Sequence, residues 1–245
     1  MGKPQEYLQT DLETWTRSDR YHNEHLINDD QVLDHVLETS KSLPNIAVSK
    51  AQVGLNKYHL FYIPYPLTGK ILIPASEVTS SETNIRSGNS GYSTIWLARA
   101  LPETGRLITL EINPQHADVA LNNFKYAGLD DKIQLILGPA KESIESLQPD
   151  PPFDLIFIDA DKQGNLDYFV QAKRLIREGG VIIEFLRVDN VVRYGRVADL
   201  NYHDQAVEGV RRLVEFLKTD NTVEATTLST VGEKGYDGFI YAVKI

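Results

Sequence analysis

Two acids and a lysine stand at the end of an apolar run, and this placement is the clearest sign of chemistry in the chain. The run Phe153–Ile158 predicts a buried strand, and Asp159, Asp161 and Lys162 follow it. In open α/β sheets, binding and catalytic groups gather at the carboxyl ends of the strands. The sequence therefore predicts a functional site at this strand end.

A second strand end supplies matching oxygen ligands. The run 179–183 also predicts a buried strand, and Asp189 and Asn190 follow it after a short stretch. Carboxylate and amide oxygens are ligands that hard cations prefer. Asp159, Asp189 and Asn190 could together hold one divalent cation, which indicates a metal-dependent enzyme. The alternative is that each acid is a helix cap or a solvated side chain.

A turn rich in small residues precedes a predicted helix further upstream. Residues 88–93 (GNSGYS) would let the backbone approach a ligand closely, with N–H groups at the helix N-terminus pointing towards it. About twenty residues on, Glu111 ends a predicted strand, where a carboxylate can bind the ribose hydroxyls of a nucleotide. The turn alone could equally be a tight turn with a helix cap, and Glu111 a solvated acid.

Helix and strand patterns alternate from residue 91 onward. Pro114–Ala127, for example, has proline in its first turn and glycine just past its end, which is typical of a helix. The alternation predicts an α/β fold with a parallel sheet covered by helices. Two final strands, 223–228 and 238–244, are joined by a connection too short for a parallel crossover, so we expect the last strand to be antiparallel.

Composition excludes several classes of protein. The chain has 245 residues, a net charge of −9 and no cysteine, so it lacks the basic excess that nucleic-acid binding needs and cannot form disulfides or thiolate metal sites. Its most apolar window, 59–75, is broken by prolines and a lysine and is unsuited to span a membrane. We expect a soluble, cytoplasmic protein with neither nucleic acid nor membrane as partner.

The motifs together resemble those of the cation-dependent class I O-methyltransferases, the S-adenosylmethionine-using family that includes catechol and caffeoyl-CoA O-methyltransferases. The similarity covers most of residues 20–245. The resemblance implies a Rossmann-like, doubly wound fold: a mostly parallel seven-stranded sheet with an antiparallel last strand and helices on both faces. It also implies an N-terminal helical segment (1–45), a methyltransferase domain (46–245) and a homodimer. The segments that carry the resemblance are 91–98, 109–111, 138–140, 157–162, 189–193 and 235–239.

The resemblance also implies roles for individual residues. Asp159, Asp189 and Asn190 would bind the divalent cation, with Mg²⁺ as the expected ion, and Asp159 would thereby act in catalysis beside Lys162. Lys162 would remove the proton from the acceptor hydroxyl. S-adenosylmethionine would donate its methyl group to a hydroxylated, catechol-like aromatic molecule. The residues implied to contact the cofactor are Val48, Ser87, Gly88, Gly91, Ser93, Glu111, Ala140 and Asp161.

Two stretches depart from the family pattern. Residues 73–87 separate the first predicted strand from the glycine turn, and residues 184–187 lie just before the Asp189–Asn190 pair. We interpret both as insertions that affect cofactor binding more than folding. They leave open an alternative function, a catalytically weakened homologue that acts as a dimeric binding or scaffold protein. A nicotinamide-dependent oxidoreductase ranks last, because it would leave the three cation ligands unexplained.

Overall fold

The computed structural model describes seven parts of the chain, and every structural statement below refers to them. They are residues 10–26, 28–43, 70–74 (backbone only), 90–159, 164–184, 191–232 and 235–245.

Two helices lie near the N-terminus, α1 at Leu12–Leu26 and α2 at Gln31–Ser40. α2 begins after Asp30, whose carboxylate accepts hydrogen bonds from the N–H groups two and three residues on. Leu33 and Val36 on α2 are buried against the core. Both helices lie within the segment 1–45 that the resemblance implies to be helical, whereas the division into segments 1–45 and 46–245 stays a prediction. No helix in the described part of the chain is long and apolar enough to cross a membrane.

Helices and strands alternate through the rest of the described chain. The helices are α3 (Tyr92–Ala100), α4 (Pro114–Tyr126), α5 (Ala140–Ser146), α6 (Asn165–Leu175) and α7 (Gln205–Thr219). The strands are β1 (Lys70–Pro74), β2 (Arg106–Glu111), β3 (Ile133–Leu137), β4 (Phe153–Ile158), β5 (Ile176–Glu184), β6 (Val223–Gly232) and β7 (Gly235–Lys244). A short 3-10 turn spans Arg193–Gly195.

The strands form one sheet in the order β3-β2-β1-β4-β5-β7-β6. Strands β1 to β5 are parallel, and β7 runs antiparallel to both of its neighbours, β5 and β6. The predicted seven-stranded, Rossmann-like sheet and its antiparallel last strand are therefore confirmed. All five parallel strands end at the same edge, which is where such folds bind ligands.

Apolar layers cover both faces of the sheet, and β4 contributes to both because successive side chains of a strand point to opposite sides. Ile156 and Ile158 pack with α5, α6 and α7, while Leu155 and Phe157 pack with α2, α3 and α4. A strand buried on both faces needs a largely apolar sequence, and the one charged residue of β4, the buried Asp154, pairs with Arg177 of β5 at 2.7 Å.

The final hairpin is tighter than predicted. β6 and β7 extend to Gly232 and Gly235, which pair with each other, so the predicted strand ends at 228 and 238 are wrong. Gly235 adopts φ +103°, a conformation that suits glycine, and this lets the ladder continue almost to the turn.

Candidate active site

The first part of the site is the turn that opens α3. Gly91 has φ +89°, and a Cβ there would collide with the ring of Phe124 in α4, so both backbone and neighbour require glycine. Among the described residues, no side chain caps α3. The N–H groups of its first turn, which includes Ser93, thus remain for a ligand. Gly91 and Ser93 are two of the predicted cofactor residues.

Glu111 ends β2 with a carboxylate that is only half satisfied. The residue is 2% exposed, and its Oε1 accepts a hydrogen bond from the N–H of Asn113 at 2.8 Å. His116 Nδ1 lies 3.8 Å from the same oxygen. Oε2 is buried and has no hydrogen-bond partner among the described residues. An unsatisfied buried acceptor costs about 1–3 kcal/mol, so this oxygen is suited to receive a hydroxyl donor from a ligand.

The turn before α5 lies beside Glu111. The N–H of Gly138 donates to the carbonyl of Glu111 at 2.8 Å, and Glu111 pairs with Leu137 at the end of β3. Ala140, which is buried, begins α5 two residues later. The structure thus brings Glu111 and Ala140, both predicted to contact the cofactor, to the same corner of the sheet.

Asp159 follows β4 directly and is partly buried. Because β4 is the central strand of the seven, Asp159 lies in the middle of the edge where the parallel strands end. This is where the sequence places the first cation ligand.

The other predicted site residues lie outside the described residues, and their assignments stay predictions. Within the described ranges, no group of three or more His, Asp or Glu side chains forms a cation site. The residues outside are Val48, Ser87, Gly88, Asp161, Lys162, Asp189 and Asn190.

The chain that leaves the Asp189–Asn190 pair is fixed to the β6–β7 hairpin. Asp237 Oδ1 accepts hydrogen bonds from the N–H groups of Val192 (3.1 Å), Arg193 (3.0 Å) and Gly238 (2.9 Å). The N–H of Val191 donates to the carbonyl of Gly238 at 3.2 Å. One carboxylate oxygen thus holds the backbone that directly follows the predicted cation ligands.

Arg193 strengthens this attachment. Its side chain is buried and its Nη1 donates to Asp204 Oδ1 at 3.0 Å, while Arg193 and Tyr194 both adopt φ 54°. Left-handed conformations at non-glycine residues persist only where surrounding contacts hold them. Sequence reasoning included Asp237 only in the segment 235–239 that carries the family resemblance and gave it no role, because its contacts with residues 192 and 193 arise only in the fold.

Glu184 is a second buried carboxylate at this edge, and sequence reasoning assigned it only to an insertion. It continues β5 by pairing with Ile158 of β4 and Ile240 of β7, so the proposed insertion 184–187 begins inside the strand rather than after it. The side chain is fully buried, and neither oxygen has a partner among the described residues. Burial raises the pKa of Glu184 well above its ordinary value.

Comparison with known proteins identifies the family. A family model described as O-methyltransferase matches residues 77–245. A catechol O-methyltransferase of Niastella koreensis is 44% identical over 181 residues, which cover 73% of this chain and 80% of that protein. A catechol O-methyltransferase of Mycobacterium tuberculosis is 38% identical over 221 residues, which cover 89% of this chain and 90% of that protein.

Solved structures agree with this assignment. The O-methyltransferase from Bacillus cereus, in complex with SAH, has a TM-score of 0.80 and 40% identity, covering 96% of this chain and 100% of that one. TomG from Streptomyces achromogenes, in complex with SAM, has a TM-score of 0.79 and 35% identity, covering 96% and 99%. The chain therefore belongs to the S-adenosylmethionine-dependent O-methyltransferase family, as the resemblance in its sequence predicts.

Proposed function

We propose that this protein transfers a methyl group from S-adenosylmethionine to a hydroxyl of a catechol-like small molecule, with a divalent cation at the acceptor. The observation that carries the proposal is the buried Oε2 of Glu111, which lacks a hydrogen-bond donor among the described residues. The ribose of the cofactor has hydroxyls that would supply this donor. Two relatives named catechol O-methyltransferase support the acceptor class.

The described residues fit S-adenosylmethionine. The uncapped first turn of α3 offers N–H groups to the carboxylate of its methionine end, close to Gly91 and Ser93. Glu111 would bind the ribose, and Ala140 would lie beside the adenine. When bound, the cofactor supplies an electrophilic sulfonium methyl group. The remaining proposed contacts come from Val48, Ser87, Gly88 and Asp161.

The acceptor half is proposed to lie at the ends of β4 and β5. Asp159, Asp189 and Asn190 would hold the cation, expected to be Mg²⁺, which would favour the ionised form of the acceptor hydroxyl. Lys162 would take the hydroxyl proton, and for this its amine must be neutral part of the time. Alignment of the hydroxyl oxygen with the methyl group is the enzyme's main contribution, worth up to about 7–11 kcal/mol in model reactions.

Glu184 favours a second candidate function. A fully buried carboxylate without a partner among the described residues lies at the edge where the cation would bind. Such a group costs stability close to the proposed centre, which is what a catalytically weakened homologue would tolerate. That homologue would act as a binding or scaffold protein. For both candidates we propose a cytoplasmic location and a homodimer. Light scattering after size exclusion would test the dimer.

A methyl-transfer assay separates the two candidates. Purified protein is incubated with S-adenosylmethionine and catechol or 3,4-dihydroxybenzoate, with Mg²⁺ or with EDTA, and the methylated product is quantified. We expect turnover with Mg²⁺ and its loss with EDTA. Calorimetric titration with S-adenosylhomocysteine is the parallel measurement. Binding without turnover on any acceptor would favour the second candidate, and turnover that persists in EDTA would contradict the cation.

A further inference from the structure

A polar bridge joins three elements behind the cofactor turn. Asn123 of α4 is fully buried, and its Nδ2 donates to the carbonyl of Ser90 at 2.8 Å. The same amide nitrogen donates to Thr39 Oγ1 of α2 at 3.0 Å. The Thr39 hydroxyl in turn lies 3.0 Å from the carbonyl of Val36, to which it can donate. The turn is thereby linked through α4 to α2.

The hydrogen bonds define the orientation of this bridge. An amide nitrogen has two N–H donors, and here one serves Ser90 and the other Thr39. The carbonyl of Ser90 can only accept, so the nitrogen of Asn123 must face it, whereas the Thr39 hydroxyl lies 3.0 Å from Nδ2 and 3.1 Å from Oδ1 and can bond either atom. A carboxylate at position 123 would set an oxygen against the carbonyl of Ser90, at a buried place where repulsion is weakly screened.

The carbonyl of Ser90 matters because it shares a peptide plane with the N–H of Gly91. This peptide is trans, so the N–H points away from the carbonyl. Drawing the carbonyl towards Asn123 therefore turns the N–H of Gly91 away from α4. The ring of Phe124 fills the space that a Cβ at position 91 would need, so this position must stay glycine. Asn123 thus orients the peptide that leads into α3, and its neighbour in α4 keeps residue 91 without a side chain.

We infer that Asn123 is a positioning residue for cofactor binding, with Thr39 as its support. It orients the Ser90–Gly91 peptide and the first turn of α3 towards the methionine end of S-adenosylmethionine without touching the cofactor itself. This inference rests on the proposed function, because it requires S-adenosylmethionine as the ligand of that turn.

Four variants separate positioning from simple stabilisation of the core. Asn123→Asp removes the donors, Thr39→Val removes the supporting hydroxyl, and Thr39→Ser restores it. Ser40→Ala is the matched control, because the buried Ser40 hydroxyl also bonds the carbonyl of Val36 but is not part of the bridge to Asn123. Each variant is titrated with S-adenosylhomocysteine by calorimetry and melted without ligand.

We expect Asn123→Asp to weaken S-adenosylhomocysteine binding about tenfold or more, and Thr39→Val about two- to fivefold, as the loss of one or two buried hydrogen bonds implies. Thr39→Ser and Ser40→Ala should bind within about twofold of the wild type. If Asn123→Asp and Thr39→Val lower the melting temperature but bind as the wild type does, the bridge is structural only and the inference is wrong. Should Asn123→Asp not fold, Thr39→Val decides by the same criterion.

Hydrogen exchange of the ligand-free protein separates this inference from the proposed function. If the wild type does not bind S-adenosylhomocysteine, the proposed function fails. Exchange of the amides in residues 91–95 then decides whether the bridge sets the turn. Faster exchange in Thr39→Val but not in Ser40→Ala supports positioning, and equal exchange in both overturns it.

Discussion

Two buried glutamates end two strands of the sheet, and their surroundings differ. Glu111 ends β2 with one oxygen bonded to the N–H of Asn113, and within the described part of the chain its other oxygen lacks a partner. Glu184 ends β5 with both oxygens buried and without partners among the described residues. Its ladder neighbours, Ile158 and Ile240, are apolar.

The difference separates a carboxylate with a fixed orientation from one surrounded by apolar ladder neighbours. At Glu111, a hydrogen bond orients the group and leaves one oxygen without a partner among the described residues, which suits the proposed ligand. At Glu184, nothing described orients the group, and burial raises its pKa well above the ordinary value. Burial alone therefore does not identify a functional acid, whereas the defined orientation of Glu111 supports its proposed role in cofactor binding.

The largest expected effect is a loss of activity when the proposed base after β4 is removed and Glu111 is left unchanged. Lys162→Ala removes the proposed base, and we expect kcat to fall about 10²- to 10⁴-fold. The Kd for S-adenosylhomocysteine should stay at the wild-type value. Lys141→Ala, which removes an exposed lysine of α5, is the control and should keep full activity. A kcat for Lys162→Ala near that of the control would contradict the assignment.

A change at Glu111 that leaves Lys162 in place tests the proposed cofactor contact. Glu111→Gln keeps the size of the side chain but loses the charge that strengthens hydrogen bonds to ribose hydroxyls. Hydrogen bonds to charged groups contribute about 1.5–3 kcal/mol, so we expect about 10- to 100-fold weaker S-adenosylhomocysteine binding by calorimetry. Glu215→Gln on the exposed face of α7 is the matched control. Equal Kd values for the two variants would show that Glu111 is not a cofactor residue.

Asp237 holds the backbone that follows two of the proposed cation ligands, so its removal should weaken cation binding. Asp237→Ala releases the backbone after Asp189 and Asn190, and we expect cation affinity to fall about tenfold, as for groups that orient metal ligands. Titration with Mn²⁺, followed by electron paramagnetic resonance, measures this directly. Asp237→Asn keeps an oxygen acceptor and should fall between Asp237→Ala and the wild type.

Asp220→Ala is the control for Asp237, because Asp220 also accepts a backbone N–H in a turn, that of Thr222, but its described hydrogen bonds go to Lys173 and Thr222 and not to the backbone after Asn190. It should lower stability without changing Mn²⁺ affinity. If both alanine variants bind Mn²⁺ equally well, Asp237 does not act on the cation site.

The smallest effect should be a gain in stability. Glu184→Val removes a buried carboxylate that has no partner among the described residues, and we expect the free energy of unfolding at pH 7 to rise by about 1–3 kcal/mol. The pKa of Glu184 in the folded protein lies above its ordinary value of 4.5. The free-energy cost of burying its negative charge is therefore absent below pH 4.5 and grows as the pH rises towards the folded pKa. The advantage of Glu184→Val should therefore increase from pH 4.5 upward in urea titrations. An advantage that shrinks as the pH rises would show that Glu184 is stabilised as a carboxylate.

Much of the fold was predictable because its signals are local. Phe153–Ile158 is observed with the predicted bounds, and Pro114 begins α4 as expected. Asn123 and Asp237 were not predictable, because their partners Ser90 and Val192 lie 33 and 45 residues away in the chain. Only the fold brings these groups together.

The C-terminal end of β5 was predicted one residue too early, and the reason is physical. A polar residue such as Glu184 is typical of the start of a loop, yet pairing with both neighbouring strands extends β5 through it. Similarly, the pattern at the hairpin could not show that Gly232 and Gly235 pair with each other. Pairing between strands overrides local preference at both places.

The position of β7 between β5 and β6 sets an order of assembly during synthesis. The ribosome delivers β1 to β5 first, while the strand that pairs with β5 arrives only after β6. The Glu111 corner can therefore form while translation continues, whereas the Asp237 attachment must wait for β7. In the cell, a nascent chain of this protein should acquire its proposed cofactor corner before its proposed cation edge.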